Sequence, residues 1–391
     1  MAALSIASSA ILKVPRLVNR CRYVDVLSQS SKPVFNNLQS CTLIFMNIFI
    51  TYNYRTEIMA PLSSTSVLEG TNMKMPIIGI GTWQGTDDEV LVAVDAALEI
   101  GYRHIDTAAV YGNESGIGKV LKKWFDSGKL KREEVFVTTK CSLSHFRPEH
   151  IEKSLNESLQ KLQLDYVDLF LAHSPVGLQY IDQGFPTAPN GDVLVDLSTD
   201  IVANWKTMET MVDKGKAKAI GLSNFNQSQV KRILDAARIK PANNQVELYV
   251  YLQQPELVKF CKENGVTIVA YGPIGSPNLK NFQAKRPGTE EMVYQYPMED
   301  DTVVTVAQKH NKTPAQVLLR FLIQYGVAVI PKSSNPKRVQ ENFNIFDFEL
   351  SRDEYEQLKA LDKGEAGRQF GARRNSPFAK HPEYPYPNTS S

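Results

Sequence analysis

The sequence predicts an α/β fold, a (β/α)8 TIM barrel with an N-terminal hairpin and long loops on its ligand face. Three observations predict it. Eight short apolar runs alternate with helical segments from residue 77 onward, the pattern of parallel strands joined by crossover helices. Seven of those runs end on polar residues, on the face where such barrels place their ligands. The first run leads into Gly79-Ile80-Gly81-Thr82-Trp83, which lacks the third glycine of a dinucleotide fingerprint and opens no helix. A doubly wound sheet is therefore disfavoured.

The elements follow in order. Residues 65–75 read as a hairpin with Gly70-Thr71-Asn72 at its turn. Strand one is expected over 77–81, with a helix over 88–99 started by Asp87-Asp88 and stopped by Gly101. Strand two (102–105) precedes a helix over 114–125, and strand three (135–139) one over 148–161. Strand four (167–172) opens into a long loop, 174–196, before a helix over 200–213. Strand five (217–222) leads to a helix over 227–237, and strand six (244–248) to one over 255–263. After strand seven (267–271) come a long loop to residue 301 and helices over 302–309 and 313–324. Strand eight (327–330) leads to a helix over 336–344.

Apolar residues make up 42% of the 391 and charged residues 22%, ordinary values for a globular chain. A net charge of +2 gives no global pull towards nucleic acid or anionic membrane, so any anion site must be local. The four cysteines, Cys21, Cys41, Cys141 and Cys261, have no paired spacing. That argues against a disulfide framework or structural zinc and fits a reducing compartment. Residues 1–58 read as an N-terminal extension and 59–391 as the barrel domain. The extension carries Lys13, Arg16, Arg20 and Arg22 before its first acid, Asp25, as a mitochondrial transit peptide would. Its apolar run 42–52 is shorter than the roughly 20 residues of a membrane span and is interrupted by Asn47. Met59-Ala60-Pro61 looks like an ordinary start. An upstream start codon, a transit peptide and a membrane anchor are the three readings of the extension. The barrel is expected in the cytoplasm, or in mitochondria if the extension is a transit peptide.

The residues at the strand ends carry the chemistry. They are Asp106, Lys140, His173, Ser223-Asn224, Gln245, Tyr271 and Lys332-Ser333, on strands two to eight in turn. Any one alone is an ordinary solvent contact; seven on one face are hard to attribute to chance. Asp106 and Lys140 lie on adjacent strands and can pair. Tyr111 follows in the loop beside them. An ammonium within hydrogen-bond reach favours phenolate, so Tyr111 is expected to have a lowered pKa and to give up its proton near neutral pH. His173 can hold a substrate oxygen through its N–H. The set suits protonation of an oxygen that is becoming an alkoxide, which is carbonyl reduction. It does not suit hydrolysis, because no Ser or Cys stands out as an activated nucleophile. One His with scattered acids makes a poor metal cluster, and no metal is expected.

Reduction needs a hydride donor. Asn335 can cap a helix that begins at Pro336. The free amides there, with Lys332, Ser333 and Arg338, suit a phosphate. Taken alone, the stretch also reads, with less weight, as a basic, capped surface helix. Glu341-Asn342, one turn on, can meet an adenine. A phosphate site distinct from the pyrophosphate favours NADPH over NADH. Tyr271 can stack on a nicotinamide face, with Ser223, Asn224 and Gln245 bonding its carboxamide.

Three stretches carry a family resemblance. Residues 101–118, Lys218-Ala219-Ile220-Gly221-Leu222-Ser223-Asn224-Phe225 and residues 330–342 are each similar to a signature of the aldo-keto reductases. The chain resembles that family, its insect members most, over roughly residues 60–391. The resemblance implies a catalytic tetrad of Asp106, Tyr111, Lys140 and His173, with Tyr111 the proton donor. It implies NADPH held extended by Thr82, Asp106, Ser223, Asn224, Gln245, Tyr271, Ile274, Ser276, Lys332, Ser333, Asn335, Arg338, Glu341 and Asn342. Trp83, Tyr111, His173 and Ser174 are implied around the substrate, a small carbonyl compound, and a monomer is implied.

The departures matter. Many relatives have His-Trp-Pro where this chain has His173-Ser174-Pro175, and a second frequent aromatic is lost at Cys141-Ser142. The Tyr-Ser-Pro run becomes Tyr271-Gly272-Pro273. The expected pocket is wide and suits a bulky carbonyl, such as a ketosteroid. The tail from Arg368 reads as disorder from its proline and charge, while tails in the family close over the pocket. A catalytically weak cofactor-binding or structural relative is the alternative in another class, separated by turnover with a generic aldehyde. An isomerase or hydrolase on the same barrel would share only the fold.

Overall fold

The computed structural model describes residues 65–68, 73–182, 184–283, 294–371 and 377–387. The extension 1–58, the expected boundary after it and the turn Gly70-Thr71-Asn72 lie outside the described residues. The hairpin pairs β1 (Thr65–Leu68) with β2 (Met73–Pro76) antiparallel. Eight parallel strands then follow in sequential order. They are β3 (Ile80–Gly81), β4 (His104–Asp106), β5 (Phe136–Lys140) and β6 (Val167–Ala172), then β7 (Ala217–Ser223), β8 (Asn243–Glu247), β9 (Thr267–Tyr271) and β10 (Ala328–Val329). Parallel bridges from Ile78 to Val329 and from Gly81 to Lys332 join the first strand to the last, so the sheet closes as the sequence predicts.

Every residue of β5, β6 and β8 is buried. Parallel strands covered on both faces need such continuous burial. Seven helices follow their strands in the outer layer: α1 (Asp87–Ile100), α2 (Glu114–Asp126), α3 (Pro148–Leu162), α4 (Ile201–Asp213), α5 (Gln227–Ala236) and α6 (Pro255–Glu263), and, after β10, α10 (Pro336–Phe343). Between β9 and β10 come α7 (Leu279–Gln283), α8 (Asp301–His310) and α9 (Pro314–Tyr325), and α11 (Arg352–Lys359) ends the series. At the foot of the barrel, buried Asp168 on β6 accepts from Arg132 at 2.8 Å and from the backbone N–H of Val137 at 3.0 Å. Lys218 lies 3.2 Å from its other oxygen.

The structure corrects the sequence reading in a few places. α1 starts one residue earlier than expected, because Thr86 and not Asp87 or Asp88 is its cap: Thr86 and Glu89 form a reciprocal capping box. β10 shrinks to two residues. α11 was not expected; Ser351 and Glu354 cap it by the same box. The last described stretch, 377–387, is a docked strap and not a free tail. Its His381 ring bonds the Asp196 carbonyl at 2.8 Å, and Glu383 pairs with Arg232 at 2.9 Å. Among the described residues no helix is long and apolar enough to cross a membrane, and no three His, Cys, Asp or Glu are grouped to hold a metal ion.

Candidate active site

Four of the expected residues meet at the carboxyl end of β4, β5 and β6. β4 ends on Asp106 and its neighbour β5 on Lys140. The Lys140 ammonium donates to Asp106 Oδ1 at 2.6 Å, to the Thr107 carbonyl at 2.9 Å and to the Tyr111 hydroxyl at 3.3 Å. Tyr111 reaches it from a single 3-10 turn, Ala109–Tyr111, ended by Gly112 at φ +71°, where glycine is favoured. The His173 ring lies edge-on to Tyr111, with centroids 5.8 Å apart. From β8, half-way round the barrel, Gln245 Nε2 donates to Asp106 Oδ2 at 2.7 Å. Behind Lys140, buried Glu114 accepts from Thr139 at 2.7 Å and Ser158 at 3.0 Å, fixing α2 against β5 and α3.

Burial and charge set the protonation states. Burial alone would push the Lys140 pKa down, but the Asp106 carboxylate and Tyr111 outweigh it and hold the ammonium above its ordinary value. Burial pushes the Tyr111 phenol up, and Lys140 only partly counters this. The expectation of a lowered Tyr111 pKa is thus overturned: desolvation of the phenolate exceeds the attraction of the ammonium. Tyr111 is a neutral phenol at neutral pH, with its proton available. Burial first, and Lys140 second, push the His173 imidazole down to about 3. His173 is therefore neutral, and its buried Nδ1 has no partner among the described residues. A neutral phenol on an ammonium, beside a neutral imidazole, can donate hydrogen bonds and one proton to an oxygen placed between them.

The other expected residues line the same end of the barrel. Thr82 Oγ1 donates to the Asp106 carbonyl at 3.0 Å. Ser223 and Asn224 stand at the end of β7, and Tyr271 ends β9 with its hydroxyl 2.8 Å from Asn224 Oδ1. Ile274 packs on the core, and Ser276 takes φ +46° in the following loop. At α10, Asn335 caps the helix by accepting from the amides of Lys337 at 2.9 Å and Arg338 at 3.2 Å. The cap is the expected one, and it takes these two amides of the first turn. The side chains there that suit an anion are half-buried Lys332, buried Ser333 and exposed Arg338. Burial lowers the Lys332 pKa, so an anion beside it would be stabilised. Glu341 lies a turn further along α10, and Asn342 beside it is buried.

Around the substrate side, Ser174 is buried and turns back to accept from the Val176 amide at 3.1 Å. Trp83 survives as the large aromatic. Phe370, which the sequence reading missed, meets Trp83 edge-on at 5.6 Å and Tyr271 at 5.4 Å. Nothing in its local sequence marks it. Its place depends on buried Glu247, whose carboxylate accepts from the Gln369 and Phe370 amides at 2.8 and 3.0 Å.

A parallel barrel with a buried Asp–Lys pair that bonds a half-buried tyrosine, and a neutral histidine at its carboxyl end, defines an oxidoreductase class, and comparison with known proteins agrees. The Aldo/keto reductase family pattern matches residues 77–363. Aldo-keto reductase family 1 member A1 of Mus musculus is 44% identical over 303 residues, covering 77% of this chain and 90% of that protein. The Homo sapiens protein of the same name is 42% identical over the same length and coverage. The solved structure of the aldose reductase from Schistosoma japonicum superposes with a TM-score of 0.73 at 40% identity, covering 85% of this chain and all of that one. The chain belongs to the aldo/keto reductase family.

Proposed function

We propose that the chain reduces aldehydes and ketones to alcohols with NADPH, with Tyr111 as proton donor and His173 as the group that orients the carbonyl. The observation that carries this reading is the Lys140 ammonium, bonded at once to Asp106 at 2.6 Å and to the Tyr111 hydroxyl at 3.3 Å in a buried setting. Lys332, Ser333 and Arg338 would hold the extra phosphate, with Glu341 and Asn342 by the adenine. Thr82, Ile274 and Ser276 would line its path to Tyr271, Ser223 and Gln245 at the nicotinamide. The lowered Lys332 pKa supports this fit, since an ammonium disfavoured by burial gains most from an anion. When bound, the dinucleotide supplies a hydride to the carbonyl carbon. Neutral His173 donates a hydrogen bond to the carbonyl oxygen. Tyr111 gives that oxygen its proton, and Lys140 stabilises the phenolate left behind. Burial makes each of these charge interactions stronger than it would be in water.

Ser174 and Ser142 stand where many relatives carry bulky aromatics, which supports a bulky ketone, a ketosteroid included, as substrate. The reading takes a cytoplasmic monomer as the working form. NADPH oxidation with an aromatic aldehyde, a small ketone and a ketosteroid, side by side, tests substrate class. Turnover of the aldehyde alone would remove the bulky-substrate reading. Tyr111→Phe is expected to lower turnover by about 10²–10⁴-fold, the range for a lost general acid, with NADPH still bound. Turnover near the parent rate would remove Tyr111 as proton donor.

A further inference from the structure

We propose that the Tyr386 hydroxyl, on the C-terminal strap, competes with the nicotinamide end of the cofactor for Asn224 and so weakens cofactor binding. The proposal rests on the NADPH reading above. Asn224 sits at φ +64°, in the left-handed region, and its backbone N–H donates to the Gln245 carbonyl at 2.9 Å. Its side chain thereby points into the mouth of the barrel, among four partners. Nδ2 donates to the His173 carbonyl at 2.9 Å and to Ser223 Oγ at 3.2 Å. Oδ1 accepts from the Tyr271 hydroxyl at 2.8 Å and from the Tyr386 hydroxyl at 3.0 Å. A carboxamide has two donor hydrogens and two acceptor lone pairs, so this amide is full. These four partners also fix which end is oxygen, since both phenols donate and the carbonyl can only accept.

A full amide can take a new donor only by releasing one it holds. Tyr271 is built into β9, whereas Tyr386 belongs to the strap and makes the longer of the two bonds. The Tyr386 hydroxyl can leave without undocking the strap. Its ring lies under the Arg368 guanidinium at 4.1 Å, the Pro385 carbonyl accepts from Asn226 at 3.0 Å, and the Glu383 carbonyl accepts from Gln229 at 2.9 Å. The Tyr386 hydroxyl and a carboxamide N–H of the cofactor therefore compete for one lone pair of Asn224. Competition of this kind is reciprocal: cofactor that displaces the hydroxyl weakens the hold on the strap, and the strap weakens the hold on the cofactor.

Tyr386→Phe deletes the hydroxyl and keeps the ring. The dissociation constant for NADPH, read by quenching of protein fluorescence, is expected to fall about two- to tenfold, the worth of one net hydrogen bond. Saturating NADPH should speed hydrogen exchange at residues 377–387 in the parent protein and leave it unchanged in the variant. A purely structural role for the hydroxyl would loosen the strap without tightening NADPH. An unchanged or raised dissociation constant in the variant, with NADPH bound by the parent, overturns this proposal alone. No quenching by NADPH in the parent overturns the NADPH reading and this proposal together.

Discussion

Tyr111 and His173 set the pH behaviour, and both are held in the neutral form. His173 is held down at about 3, below the ordinary histidine value of about 6.5. Its neutral burial thus contributes stability that is fully present above the unfolded value and is lost as pH falls towards the folded one. Tyr111 is held up by burial, so it keeps its proton through neutral pH. Turnover is expected to stay flat across neutral pH and to fall only on the alkaline side, as Tyr111 ionises. A pH profile of kcat checks this; an acid limb centred near the ordinary histidine value would show that His173 is solvated during turnover. At this scale the sequence was informative about identity and misleading about environment. Asp106, Lys140 and His173 were legible because each ends or follows an apolar strand, and Tyr111 because it lies in the loop beside them. The sign of the Tyr111 shift was not, since desolvation depends on what covers the ring. The bond from Gln245 Nε2 to Asp106 across the barrel was likewise not legible, since the two residues are 139 positions apart in sequence.

Among the elements, strands and helices were legible wherever burial repeats with a clear period. β6, β9 and α6 fall on the expected residues. The misses have local causes. α11 has few apolar residues, and only its Ser351–Glu354 capping box signals it. The strap at 377–387 looks disordered by composition, yet its polar groups are satisfied by α5 and by the loop after β6. Tertiary hydrogen bonds of this kind leave no periodic trace. The ion cluster at the foot of the barrel joins three strands in the same way: Asp168 on β6 ties Arg132 before β5 and Lys218 on β7. Asp168→Ala leaves half-buried Arg132 and the buried Val137 amide without their acceptor, while Lys218 is exposed to solvent. It is expected to cost about 1–3 kcal/mol, the range for leaving a buried polar group without its partner, measurable by urea unfolding. A loss below about 1 kcal/mol would place the cluster with ordinary surface ion pairs.

For the whole molecule, closure was legible only as a count of strands. The seam itself, where β3 meets β10, rests on a glycine. A Cβ on Gly81 would stand 2.8 Å from the Ile330 carbonyl oxygen. That oxygen belongs to backbone and cannot swing aside. Gly81→Ala is expected to cost about 1–3 kcal/mol, as overpacking does, and to lower the midpoint of thermal unfolding. An unchanged midpoint would mean that the seam can part locally without loss.

The barrel also divides its labour between its two halves. Asp106, Tyr111, Lys140 and His173 all belong to the half built from β3 to β6 and the loops that follow those strands. Ser223, Asn224, Gln245, Tyr271 and Lys332 belong to the half from β7 to β10. Two hydrogen bonds cross between these sets, from Gln245 to Asp106 and from Asn224 to the His173 carbonyl. Each half is thus open to separate inheritance. Mutation in the later strands can alter their side of the barrel mouth while the Asp106–Lys140–Tyr111 contacts are transmitted unchanged, provided those two amides are kept.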